Sequence, residues 1–171
     1  MRSQCHQLSP RVGLLLSISL ASLVSGCATP IYKNVSSITT PPRDVAAAPE
    51  RYANADVIWG GKILAVRNRP ESTDIEIVAF PLDRGQRPDR SAPSEGRFVV
   101  VLPGYVEAND YPASRYLTVH GHVTGSRVAT IDERNVVFPL VRADDLHLWP
   151  ANFPGDRPQF HFGVGVGVRI H

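Results

Sequence analysis

Two histidines in one alternating run are the first residues whose type and spacing suggest chemistry. His120 and His122 are two positions apart, so on a strand both imidazoles point to the same side, about 7 Å apart. That spacing can chelate zinc or copper, but a site needs a third and usually a fourth ligand, and the sequence shows none nearby. We therefore predict two surface histidines and no metal cofactor, with a metal-binding pair as the alternative. His161 and His171 would join it only if the terminal strand lies alongside.

The run Trp59-Gly60-Gly61 is a second candidate site. An aromatic ring beside bare backbone can stack on a flat or sugar-like ligand. Tryptophan packed over a glycine bend, which lets a barrel curve, is the structural alternative. We favour packing and keep a ligand site as the second hypothesis.

Patterns typical of enzymes are absent from the sequence. Serine, histidine and acidic residues occur, but there is no nucleophile elbow of the Gly-x-Ser-x-Gly kind. The glycines at 163, 165 and 167 alternate strictly and no helix pattern follows them, so they are not a dinucleotide fingerprint. We therefore predict a protein that is not an enzyme.

Residues 1–26 have the layout of a signal peptide. Arg2 and Arg11 precede an apolar run over residues 12–24, and Ser25-Gly26 separates this run from Cys27. Thirteen apolar residues are too few for a helix that crosses a bilayer, which needs about 20. We predict removal of residues 1–26. Because the other cysteine, Cys5, is then lost too, the mature protein would contain no disulfide.

The four residues Val24-Ser25-Gly26-Cys27 resemble the lipobox of bacterial lipoproteins. This resemblance implies a diacylglyceryl thioether on Cys27 and a further acyl chain on its amino group. Two acyl chains already suffice for stable membrane attachment, so we expect Cys27 to be the lipid anchor. In lipoproteins of the enterobacterial type, an aspartate after the cysteine retains the protein in the inner membrane. Ala28 in this position implies transfer to the outer membrane.

The charge of the mature chain gives little reason to expect nucleic acid as a partner. The full sequence has a net charge of +2, and removing Arg2 and Arg11 leaves 16 basic against 16 acidic residues. Nucleic-acid binding depends on clustered positive charge, which a neutral domain lacks. Arg84, Arg87 and Arg90 are most simply part of a solvated loop, with contact to lipopolysaccharide phosphates as the alternative. We expect envelope proteins or lipopolysaccharide as partners; the sequence does not indicate the oligomeric state.

The remaining pattern predicts one all-β domain. Residues 27–48 are rich in Ser, Thr and Pro and predict a flexible tether after the lipidated cysteine. Residues 49–171 predict the domain, with a short helical turn at 49–52. Strands are predicted near residues 57–66, 73–80, 98–102, 116–123, 136–141 and 160–170. Short strands with almost no helical periodicity predict a small antiparallel barrel of five or six strands, similar to an OB-type barrel.

The ordered set of motifs resembles the Slp family of outer-membrane lipoproteins, which is named for induction on starvation and entry into stationary phase. After the lipobox, the resemblance runs from Tyr52 to Trp149, and the Trp59-Gly60-Gly61 element is its most specific part. It implies an outer-membrane lipoprotein that faces the periplasm and is associated with stress. It supplies no catalytic residues, and it does not include the histidine pair.

Overall fold

A computed structural model describes residues 29–152 of the 171-residue chain. The predicted signal peptide, Cys27 and the predicted strand over residues 160–170 lie outside the described residues. None of the helices among the described residues is long and apolar enough to cross a membrane.

Within residues 29–152, five strands close into a barrel. The strands are β1 (Asp56–Asn68), β2 (Ser72–Phe80), β3 (Arg97–Pro103), β4 (Tyr116–Ile131) and β5 (Arg134–Leu148). Around the barrel their order is β1-β2-β3-β5-β4, and β1 closes the barrel by pairing with β4. The prediction of a small all-β barrel of five or six strands is confirmed.

One pair of strands departs from the predicted antiparallel arrangement. β3 and β5 are parallel, with Val99, Val100 and Val101 opposite Leu140, Val141 and Arg142, whereas the other four pairs are antiparallel. The barrel is therefore mixed. Alternation of apolar residues shows which face of a strand is buried, but it carries no information about the direction of its neighbour.

Apolar side chains from alternate positions of the strands fill the barrel. Leu117, Val119 and Val123 on β4 are completely buried, as their spacing predicts. Ile75 and Ile77 on β2 pack into the same core. The largest fully buried side chains are Phe98, Ile63, Ile75, Ile77, Leu117, Val45, Val57, Val100, Val119, Val123, Val141 and Thr73. Each large apolar side chain contributes about 1.5–3 kcal/mol when buried, so this core is the main source of stability.

The hairpin of β4 and β5 is longer than predicted and projects beyond the core. Its turn consists of Asp132 and Glu133, which have φ angles of 47° and 64°. Positive φ at both central residues is typical of the type I′ turn that joins two adjacent strands. Val128 on this hairpin has 62% of its surface exposed. The sequence pattern fades here because, along the β4 half of this extension, exposed residues alternate with residues that are only half-buried.

Residues 38–47 pack on the barrel, although the sequence predicts a tether over residues 27–48. A short helix, α1 (Pro42–Ala47), begins with proline at its first position, which the fixed φ of proline favours. Val45 in α1 is completely buried, and Ile38 donates its N–H to the carbonyl of Asp56 at 2.9 Å. Single apolar residues hold this segment in place, so no periodic pattern predicts it. The helical turn predicted at residues 49–52 is present as a 3₁₀ helix over Pro49–Tyr52.

Candidate functional site

Trp59 lies in the barrel wall, and its ring forms part of the core. Only 5% of its surface is exposed, and its ring meets the ring of Phe98 edge-on with 5.3 Å between centroids. The indole N–H donates to the carbonyl of Thr40 at 3.0 Å, which satisfies the polar atom of a buried tryptophan. This burial is what the packing alternative predicts for Trp59, in which the ring packs over a glycine bend.

The two glycines after Trp59 allow close packing between neighbouring strands. A Cβ atom on Gly61 would collide with the carbonyl oxygen of Val78 and would lie 2.8 Å from Cγ2 of Ile77. A Cβ atom on Gly60 would lie 2.8 Å from Cδ2 of Leu82. Backbone atoms of a paired strand cannot move aside as the end of a flexible side chain can. Gly61 in particular is therefore required by the barrel itself.

A cleft of about 300 Å³ lies beside Trp59. One wall is formed by residues 37–42, which pack on the barrel, and the other by residues at the end of β2 and in the loop that follows it. The lining includes Ile38, Trp59, Gly60, Phe80, Leu82 and Gln86. The sequence prediction found Trp59 and Gly60 but missed the N-terminal wall, because residues 27–48 have no periodic apolar pattern.

A network of hydrogen bonds links the loop after β2 to β4 and to the N-terminal segment. Tyr32 donates its hydroxyl to the carbonyl of Thr118 at 3.1 Å, and Gln86 donates its side-chain amide to the carbonyl of Tyr32 at 3.1 Å. The indole of Trp149 donates to the hydroxyl of Thr118 at 3.0 Å. Burial, and then the charge of Asp145, raise the pKa of Tyr32 above its ordinary value. The phenol therefore stays protonated and acts as a structural donor.

One of the arginines in the predicted polar loop packs on this network. The guanidinium of Arg87 lies over the ring of Trp149, 5.5 Å from its centroid. Such a cation–π contact contributes about 0.5–1 kcal/mol at an exposed site. Arg87 therefore has a structural contact in addition to its position in a polar loop.

A buried carboxylate joins the long hairpin to the barrel. Asp74 on β2 is 2% exposed and accepts hydrogen bonds from Arg127 on the hairpin and from Arg69 in the β1–β2 turn. Burial alone raises the pKa of Asp74, but the hydrogen bonds and charges of Arg127 and Arg69 outweigh it and hold the pKa below its ordinary value. Asp74 is therefore ionised, and its Oδ2 atom accepts from both arginines.

The two predicted histidines are half-buried on the outer side of β4, and they have different neighbours. The ring of His120 lies 5.7 Å from the ring of Tyr32. The Nδ1 atom of His122 lies 3.4 Å from Oδ2 of Asp144. Among the described residues, the one cluster with the spacing of a metal site contains Asp56, His122 and Asp144, whose ligand atoms all lie within 4.8 Å of one another.

The sequence identified one member of this cluster and missed two. Asp56 is 66 positions before His122 and Asp144 is 22 positions after it, so only the pairing of β1, β4 and β5 brings the three together. His120, the second member of the alternative metal-binding pair, is not in the cluster. A polar residue at the start of a strand was the sequence signal for Asp56, but aspartate is too common at such positions to indicate a metal ligand.

A comparison with solved structures gives a weak match to a protein bound to single-stranded DNA. The structure of Schizosaccharomyces pombe Pot1pC bound to single-stranded DNA aligns with a TM-score of 0.31 and 8% sequence identity. The alignment covers 61% of this chain and 84% of that chain. Similarity at this level supports no conclusion about function.

The sequence comparisons are more specific. Residues 24–163 match the outer membrane lipoprotein Slp family. The uncharacterized lipoprotein YeaY of Escherichia coli K12 is 31% identical over 138 residues, which cover 79% of this chain and 71% of YeaY. The outer membrane protein Slp of the same organism is 26% identical over 139 residues, which cover 78% of this chain and 73% of Slp. The chain therefore belongs to the outer membrane lipoprotein Slp family and is a lipoprotein of the outer membrane of Gram-negative bacteria.

Proposed function

We propose that this protein is a non-enzymatic, structural component of the outer membrane that supports the envelope under stress. In this proposal a lipid on Cys27 holds the chain in the membrane and the barrel faces the periplasm. The barrel surface would contact other envelope components, either proteins or lipopolysaccharide. One observation carries the proposal. Side chains of the barrel and of the segment packed on it that could bind or react with a ligand are instead engaged in packing and in internal hydrogen bonds.

Three side chains illustrate this use. Trp59 is buried against Phe98 and has its N–H bonded to Thr40. Asp74 is held between two arginines, and Tyr32 donates to a backbone carbonyl. Groups fixed in this way already serve the fold, which supports a scaffold in preference to a catalyst.

The anchor and the stress association rest on the sequence. The lipobox-like run that ends at Cys27 supports lipid attachment there, and Ala28 supports sorting to the outer membrane. The relatives are named a lipoprotein and an outer membrane protein, which agrees with that anchor. Membership of a family that is named for starvation supports the stress-related role.

Complementation in a Gram-negative host that lacks the gene tests this function. The strain would carry the wild-type gene, a Cys27→Ser variant or no copy, and uptake of a hydrophobic fluorescent dye would be measured in growing and starved cells. We expect greater dye uptake in starved cells without the gene, with rescue by wild type and none by Cys27→Ser. Equal uptake by all three strains under starvation would overturn the proposal.

The cleft beside Trp59 supports a second candidate function, the binding of a small apolar ligand. Its volume of about 300 Å³ lies at the lower end of the range for ligand pockets, and its lining combines apolar walls with the polar side chains of Gln86 and Glu95. That combination is typical of sites in which apolar contact provides affinity and a few polar groups fix the orientation.

A fluorescent naphthalene sulfonate probe can separate the two functions. A ligand module would bind the probe at one site, and Leu82→Trp, which narrows the cleft, would weaken binding at least about tenfold. Val128→Trp, an exposed position on the hairpin, serves as the control. Equal probe binding by wild type and both variants would exclude this cleft as the binding site and favour the structural function.

A further inference from the structure

We propose that Asp56, His122 and Asp144 form a binding site for a divalent transition-metal ion on the outer face of the barrel. This site is distinct from the proposed structural function and from the cleft beside Trp59. The proposal rests on the register of three strands, on a β-bulge and on the chemistry of the three side chains.

The first two ligands are direct neighbours across the seam that closes the barrel. In the β1–β4 pairing, Asp56 lies opposite His122, and the next pair is Val57 with Gly121. Val57 is completely buried, so its neighbour Asp56 points to the outer face because side chains alternate along a strand. Directly opposed residues have Cβ atoms about 4.5–5.5 Å apart, a distance that a metal ion can bridge.

A bulge in β5 supplies the third ligand. His120 pairs with Asp145 and Gly121 pairs with Ala143, so Asp144 is an extra residue without an opposite partner on β4. A bulge of this kind redirects side chains and is common beside functional sites. Here it leaves Oδ2 of Asp144 at 3.4 Å from Nδ1 of His122.

The spacing of the ligand atoms is close to what one ion requires. Zinc binds imidazole nitrogen and carboxylate oxygen at about 2.0–2.2 Å, which places two ligand atoms on the same ion about 3–4 Å apart. The three ligand atoms here lie within 4.8 Å of one another, so small rotations of the exposed Asp56 and Asp144 side chains would complete the geometry. Arg142 is in register with His122 and is exposed, so its guanidinium can remain in solvent.

The ligand set indicates the class of ion. One neutral imidazole and two carboxylates carry two negative charges, which a divalent ion neutralises. Imidazole is a ligand for zinc, copper, nickel and iron, whereas calcium and magnesium take oxygen ligands in larger numbers. Water would fill the remaining positions because the site is open on its outer side. His120 lies against Tyr32, so the proposed site differs from the histidine pair that the sequence offered as the alternative.

Titration of the full-length protein in detergent with zinc, measured by isothermal titration calorimetry, tests the site. The variants are His122→Gln and Asp144→Asn, and the matched control is Asp132→Asn at the tip of the hairpin. Asp132→Asn removes the same charge far from the cluster, and asparagine tolerates the positive φ of this position. Circular dichroism of each variant verifies that the fold is retained.

We expect the wild type and Asp132→Asn to share one zinc site that both cluster variants bind at least about tenfold more weakly. In proton NMR, the imidazole signals of His122 would shift on zinc addition, while those of His120 would shift much less. Equal zinc affinity in all four proteins would overturn the proposal. So would the absence of binding by the wild type at zinc concentrations up to about 1 mM.

Discussion

The inner wall of the barrel at Trp59 and its outer face at His122 each contain residues whose types suggest a binding site, but they use these residues in opposite ways. On the inner wall, an aromatic ring and two glycines that resemble a ligand platform are occupied by strand packing. On the outer face, a histidine and two aspartates converge with their ligand atoms within 4.8 Å and with solvent on one side. A candidate site is thus distinguished less by residue type than by whether its polar atoms are already bonded.

Asp74 and Asp144 show the same contrast between two carboxylates. Asp74 is almost fully buried and accepts hydrogen bonds from two arginines. The side chain of Asp144 is 45% exposed, and its Oδ2 atom lies 3.4 Å from Nδ1 of His122. The buried carboxylate therefore stabilises the fold, whereas the exposed one is accessible to the ion proposed above.

Trp59→Ala should have the largest effect on stability. Removing a buried aromatic side chain leaves a cavity between β1 and Phe98, and we expect a loss of about 3–5 kcal/mol in the free energy of unfolding. Urea denaturation followed by circular dichroism measures this loss. Val128→Ala at an exposed position is the control, with an expected change within about 0.5 kcal/mol. Similar small losses in both variants would show that Trp59 is not a core residue.

Gly61→Ala should rank second. The added methyl group would collide with the backbone carbonyl of Val78, and we expect a loss of about 3 kcal/mol measured by the same denaturation assay. Gly104→Ala is the control, because Gly104 has a φ of 71° and open space around it. That variant isolates backbone strain, which costs about 1 kcal/mol. If Gly104→Ala were the more destabilising of the two variants, the close approach of β1 and β2 would not explain why position 61 requires glycine.

Asp74→Asn should lower stability by about 1–2 kcal/mol at pH 7, and this difference should depend on pH. Because the folded pKa of Asp74 lies below its ordinary value, its stabilisation is present above about pH 4 and is lost as the pH falls through the folded pKa. Denaturation curves of the wild type and the variant should therefore converge at low pH. Asp132→Asn is the exposed control. A difference between wild type and Asp74→Asn that is constant from pH 7 to about pH 2 would contradict this assignment.

Asp144→Asn should have the smallest effect on stability without metal, within about 0.5 kcal/mol, because Asp144 is exposed. Zinc at about 100 times its dissociation constant should then stabilise the wild type by about 2.7 kcal/mol and the variant far less. Thermal unfolding with and without zinc provides the comparison. Equal stabilisation of both proteins would place the zinc elsewhere.

Much of the fold could be predicted because strand alternation records burial directly. The positions of Leu117, Val119 and Val123 predicted an inward face on β4, and all three are completely buried. The parallel pairing of β3 and β5 could not be predicted, since it depends on which strands meet when the barrel closes. The packing of residues 38–47 was also missed, because it depends on single residues such as Ile38 and Val45.

The candidate sites were predictable only in part for a related reason. Trp59 and His122 were identified from their type and local spacing. Asp56 and Asp144 were not, because they meet His122 through the register of two strand pairs and through one bulge. A register is set by the whole barrel, so no local sequence pattern contains it.

The most direct test of an outer-membrane protein anchored by lipid is the intact mass of the full-length protein recovered from fractionated membranes. The wild type and Cys27→Ser would be compared in a Gram-negative host. We predict that the wild type begins at Cys27, carries the mass of three acyl chains and is found in the outer-membrane fraction, whereas Cys27→Ser is not acylated. An unmodified wild-type chain outside the membrane fractions would contradict the lipid anchor at Cys27.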